Sequence, residues 1–70
     1  MSYSYQEQID RFAVELADEA IQKKKNPDYK ESLSLYEIAG SLSRIYDIEH
    51  DKALRDLTSK RTVYMSRKSG

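Results

Sequence analysis

His50 stands between Glu49 and Asp51 and is the sole histidine of a 70-residue chain that has no cysteine. It is the only side chain of the sequence whose unperturbed pKa lies near neutrality, which makes it the first candidate for proton transfer at physiological pH. Asp47 and Asp51, at i and i+4, would add two oxygen ligands on one helix face if a metal were held there. Neither chemistry has the partners it needs. There is no further ligand at a metal-binding spacing, the serines fall mostly at helix caps and turns, and the two glycines, Gly40 and Gly70, cannot build a phosphate-cradling loop. The residues therefore predict a chain that is not an enzyme and uses no cofactor, with His50 an exposed first-turn residue.

Two residue classes remain that bind rather than react. Six tyrosines stand against one phenylalanine and no tryptophan, and tyrosine joins a large apolar body to a polar tip that tolerates water, which suits an interface. Tyr36, in the first turn of a helix, and Tyr64, in a segment expected to be unpacked, are the candidate partner-binding positions. Lysine plus arginine and aspartate plus glutamate both number 12, so the net charge is zero and no global field draws the chain to nucleic acid or anionic membrane. Locally the charges separate. From Lys60 onward the cations Lys60, Arg61, Arg67 and Lys68 meet no acid, and together with Arg55 they are the candidate contacts to duplex DNA phosphates. Lys23, Lys24 and Lys25 form a second cluster, at a helix end where cations also complement the macrodipole.

Positioning these groups falls to three segments. Ile9, Phe12, Ala13, Leu16, Ala17, Ala20 and Ile21 recur at helical period, with acids ahead and lysines behind, and predict a helix from about Tyr5 to Lys25 that Asn26-Pro27-Asp28 stops. Val14 is the one apolar residue far from that stripe. Tyr29, in the polar connector, is expected to fold back on the core. Ser34 and Glu37 have capping-box spacing and predict a second helix from Leu35 to Tyr46, with Leu35, Ile38, Ala39, Leu42, Ile45 and Tyr46 inward. Gly40 lies mid-helix, which suggests close approach of the first helix. Asp47 is the candidate cap of a third helix, Glu49 to Lys60, burying Ala53, Leu54 and Leu57. Residues 61–70 are expected to be a basic tail, extended or frayed, because Thr62 and Val63 favour a strand, although Leu57, Arg61 and Tyr64 would also continue a helical face.

The fold class predicted is all-α: one compact three-helix domain whose second and third helices form a helix-turn-helix-like unit. A chain this short buries only ~60% of the surface its unfolded form exposes, and without disulfides it gains most by pairing. A homodimer is expected. The opening Met-Ser-Tyr-Ser-Tyr-Gln-Glu has no signal-peptide pattern and no apolar run approaches the roughly 18 residues of a membrane span, which predicts a soluble, cytoplasmic protein without a membrane contact.

The pattern Glu37, Ile38, Ala39, Leu42, Tyr46, Asp47, Ile48, Ala53, Asp56, Leu57 resembles the paired helices of winged-helix modules, in particular the peptide-leader recognition elements of ribosomal peptide biosynthesis. It spans about a third of the chain. Those modules place a small sheet ahead of the helices, where this chain has a long helix, so their peptide-binding strand has no counterpart here and no functional residue transfers. Were the third helix to enter a major groove, its leading side chains would be Glu49, His50 and Asp51, two of them the wrong sign for phosphate. The function expected is that of a small regulatory or adaptor module binding a protein partner, with DNA binding as the alternative.

Overall fold

The computed structural model describes residues 3–69. Its first helix, α1, runs over Tyr5–Lys25 and begins at a complete capping box. Ser4 Oγ accepts from the Glu7 amide at 3.2 Å while a Glu7 carboxylate oxygen accepts from the Ser4 amide at 3.0 Å. Asn26 is extended and closes the helix ahead of Pro27. The second helix, α2 (Leu35–Tyr46), has only half of the box expected for it. Ser34 Oγ accepts from the Glu37 amide at 3.3 Å, but the Glu37 carboxylate makes no return bond and is left free.

The connector between them is ordered by one side chain. The Glu19 carboxylate on α1 accepts from the Ser32 amide at 3.0 Å, from the Ser32 hydroxyl and from the Leu33 amide at 3.0 Å. Tyr29 is half-buried but, contrary to expectation, is not among the side chains packed on the core; it lies instead beside the Glu19 carboxylate, to which its hydroxyl donates. Hydrogen bonds from the Ser32 side chain and the Leu33 backbone hold the Glu19 carboxyl below the usual glutamate range.

Asp47 does not cap the third helix. It sits in the left-handed region at φ 54°, ψ 53° and closes α2, its amide and that of Ile48 both donating to the Ser43 carbonyl. Aspartate is among the few non-glycine residues that adopt this conformation readily, which makes it a C-terminal stop as well as an N-cap. The third helix, α3, then covers His50–Ser69, so residues 61–69 are helical and not an extended or frayed tail. The neighbour overturns the strand preference of that segment: α1, 21 residues long, lies alongside α3 as far as Lys68. Thr58 and Thr62 satisfy their hydroxyls within the helix, on the carbonyls of Leu54 and Thr58 at 2.8 and 2.9 Å.

The register of that pairing is parallel. Tyr5 donates to Asp56 at 2.6 Å, Lys60 lies 3.4 Å from Asp10, the Tyr64 hydroxyl reaches Asp10 at 3.4 Å, and Lys68 pairs with Asp18. Residue numbers rise together on both helices. The short α2 returns antiparallel beside them, Leu33 near Glu19 at its start and Tyr46 edge-on to Tyr5 at its end with ring centroids 5.6 Å apart. Between the three lies a core of Ile9, Ala13, Leu16, Ala17, Ile38, Ala39, Leu42, Ala53 and Leu57, four of which are alanine, so the helices can approach closely while burying little volume. No buried residue of the described chain is polar or charged. Phe12, the largest apolar side chain of α1, is only half-buried.

Leu16 is 3% exposed at the centre of this core. Leu16→Ala is expected to cost ~2–5 kcal/mol, and a thermal melt within a degree or two of the parent would show that the stripe is not core. The carboxyls of Glu19 and Asp56 both titrate below their ordinary values, about 4.5 and 3.8. A carboxyl whose folded pKa is depressed adds stability above its unfolded pKa and loses it as pH falls through the folded value. The melting temperature is therefore expected to be level near neutrality and to fall below about pH 4.5. Glu19→Ala should lower it at pH 7 and make the acid decline shallower; an unchanged decline would remove Glu19 from the account.

Candidate interaction surface

Six of the twelve positions of α2 are apolar inward candidates, yet the helix has only two neighbours and they do not cover them all. Ile38, Ala39 and Leu42 are buried, Leu35 and Tyr46 are partly buried, and Ile45 is 70% exposed. Ile45 thus departs from the inward placement expected of it. The uncovered strip joins α1 in an open groove of about 300 Å³ lined by Gln8, Phe12, Glu37, Ile38, Ser41, Leu42 and Ile45. Its floor is the flank of the core. Half-buried Phe12 and buried Ile38 and Leu42 supply apolar surface, while Gln8, Glu37 and Ser41 form a polar rim.

Tyr36, the other large exposed apolar group of α2, is 67% exposed. Nine residues separate it from Ile45, which at 100° per residue puts them on opposite sides of the helix. The two do not form one patch. Tyr36 lies instead on the side facing α3, where His50 Nε2 is 3.3 Å from its carbonyl oxygen. His50 is exposed, as expected, and no group of three or more metal-ligating side chains occurs among the described residues. Tyr64 is not in an unpacked segment. It is half-buried on α3, hydrogen-bonded to Asp10, with the Arg67 guanidinium 5.7 Å from its ring centroid.

The five cations considered for DNA are dispersed by the extension of α3. Lys60 and Lys68 lie against α1 and pair with Asp10 and Asp18. Arg61 is half-buried, its Nε enclosed without a hydrogen-bond partner, and Arg67 stacks on Tyr64. Arg55 lies on the outward stripe of α3 with Ser59, Thr62 and Ser66, all exposed and uncharged. At the N-terminal end of the same helix, Lys52 is 3.0 Å from Asp56 and 5.4 Å from the Tyr5 ring centroid. Burial and the hydrogen bond to Asp56 raise the Tyr5 phenol, and that bond in turn lowers the Asp56 carboxyl.

Sequence reasoning missed the groove. The signal was the width of the α2 stripe, broader than one neighbouring helix covers. Gly40 also has a different nearest neighbour from the one expected: the atoms closest to a methyl group built there belong to Arg44 at 3.8 Å and His50 at 3.9 Å, from α2 itself and α3, and not to α1. Those are ordinary van der Waals distances. Gly40→Ala is therefore expected to stabilise the chain by ~0.5–1 kcal/mol through helix propensity alone, and a lower melting temperature would show that the backbone needs glycine there.

Comparison with protein-family models, with curated proteins and with solved structures finds no match for this chain. No helix among the described residues is long and apolar enough to cross a membrane.

Proposed function

We propose that this chain is a non-catalytic regulatory or adaptor module that acts by protein–protein contact, with the groove between α1 and α2 as its protein-binding surface. The observation that carries the reading is Ile45, a large aliphatic side chain 70% exposed beside an apolar groove floored by Phe12, Ile38 and Leu42. An apolar centre with a polar rim is the usual anatomy of a protein interface. The absence of cysteine and of a membrane-spanning helix among the described residues fits a cytoplasmic setting. Tyr36 offers a second, separate contact. Tyr64 offers less, because its hydroxyl and ring already have partners within the chain.

The DNA-binding alternative, and with it the winged-helix likeness of α2 and α3, has less support. Two of its five cations would have to exchange a carboxylate of α1 for a phosphate, and Arg55 faces outward without another cation from that set beside it.

Affinity capture with the parent chain and with Ile45→Glu separates the readings. An anchor at the centre of an interface contributes ~2 kcal/mol or more, so capture of a protein partner is expected to weaken roughly thirtyfold. Changing Arg61, Arg67 and Lys68 together to Gln should leave that capture nearly intact. The reverse pattern would overturn the proposal: duplex DNA binding at low salt, unaffected by Ile45→Glu, whose log–log salt dependence flattens by about one unit of slope per lost cation in the triple variant.

A further inference from the structure

We propose that the occupant of the groove is a second copy of this chain, its α2 packed antiparallel against the first across a two-fold axis at Ser41. The inference rests on the groove being a protein-binding surface and names what fills it. Self-complementarity is the supporting argument, because a two-fold interface must present the same patch as both knob and hole. Here the knob, Ile45, and the hole, bounded by Phe12 and Ile38, lie on one face. An antiparallel pairing centred on Ser41 brings residues whose numbers sum to about 82 opposite each other, so Ile45 of each copy enters the Ile38 end of the other's groove. Ser41 is small and exposed, which lets the helices approach at the axis.

The charges obey the same symmetry. Glu37 stands at the N-terminal end of the face with its carboxylate free, since the return bond of the capping box is not made. Arg44 stands two turns later, outside the groove lining, exposed and without an ion pair among the described residues; its guanidinium lies over Gly40 beside His50, so the side chain must swing across to reach a facing copy. The antiparallel pairing sets Glu37 of each copy beside Arg44 of the other, twice per dimer, and the antiparallel helix dipoles add to the attraction. A net charge of zero removes overall repulsion between copies. A peptide of unrelated sequence would have to supply this charge order by chance; a second copy has it by construction.

Sedimentation equilibrium on charge-reversed chains tests the pairing. The parent chain, at concentrations on the order of 100 µM, is expected to sediment at twice the mass of one chain. Glu37→Arg and Arg44→Glu, each alone, place like charges opposite each other twice and should weaken self-association roughly tenfold or more. Mixed in equal amounts they restore both attractions, and the mixture should again sediment as a dimer. Loss of folding does not mimic that restoration, and circular dichroism melts check each variant separately. Ile45→Glu, at an exposed position, should abolish the dimer while leaving the helical spectrum unchanged. A parent chain that remains single at that concentration, variants that dimerise like the parent, or a mixture that stays monomeric would each overturn the proposal. Were any of these to occur while Ile45→Glu still abolished capture of a different protein, the groove would stand as a protein-binding surface and only its occupant would have been misassigned.

Discussion

The alignment of α1 along α3 is the constraint on which the remainder of the molecule depends. Ala13 and Ala17 on α1 and Ala53 on α3 are buried with no exposed surface, and small side chains permit a close crossing at which backbone atoms themselves supply much of the dispersion contact. Polar rungs then fix the register. Tyr5 to Asp56, Asp10 to Lys60 and Tyr64, and Asp18 to Lys68 repeat along both helices. Each exposed ion pair contributes little energy. Their combined effect is specificity, because a shift by one turn would part Tyr5 from Asp56 and Lys68 from Asp18.

A parallel pairing has an electrostatic consequence. Both helices end at the same side of the molecule, where Ile21, Lys24 and Lys25 of α1 line a recess with Met65 and Lys68 of α3. Two negative dipole ends therefore point the same way, offset along the axis, and cations in the last turns, Lys23, Lys24 and Lys25 on one helix with Arg67 and Lys68 on the other, answer them. Lys24 and Lys25 thus meet Lys68 in space for a reason internal to the fold. Zero net charge conceals this separation: acids stand in the first turns and bases in the last.

The second helix is what this arrangement leaves incompletely covered. At 12 residues it is too short to run the length of its neighbours, and it lies antiparallel, held at its start by the Glu19 network and at its end by the left-handed Asp47 and the Tyr5–Tyr46 ring contact. Its apolar stripe is wider than the two neighbours together enclose. The core accordingly ends in an open flank, with Phe12 half-buried and Ile45 in water. A domain with four alanines among nine core residues has little volume with which to offset that exposure, which is the physical ground for assigning the flank to an interface.

Local sequence determined the helices and several of their ends. The period of Ile9 to Ile21 fixed α1 through Lys25, Pro27 closed it, and Ser34 with Glu37 placed the start of α2, because periodicity, proline sterics and capping are decided within a few residues. Three features lay beyond that range. Thr62, Val63 and Tyr64 favour a strand locally, and only the presence of α1 alongside them makes helix the lower state through Ser69. Asp47 suits either end of a helix, and the geometry of the turn to α3 chose the left-handed stop. The exposure of Ile45, and with it the candidate site, follows from how many neighbours α2 acquires, a quantity carried by the packing of the whole chain and by no segment of it.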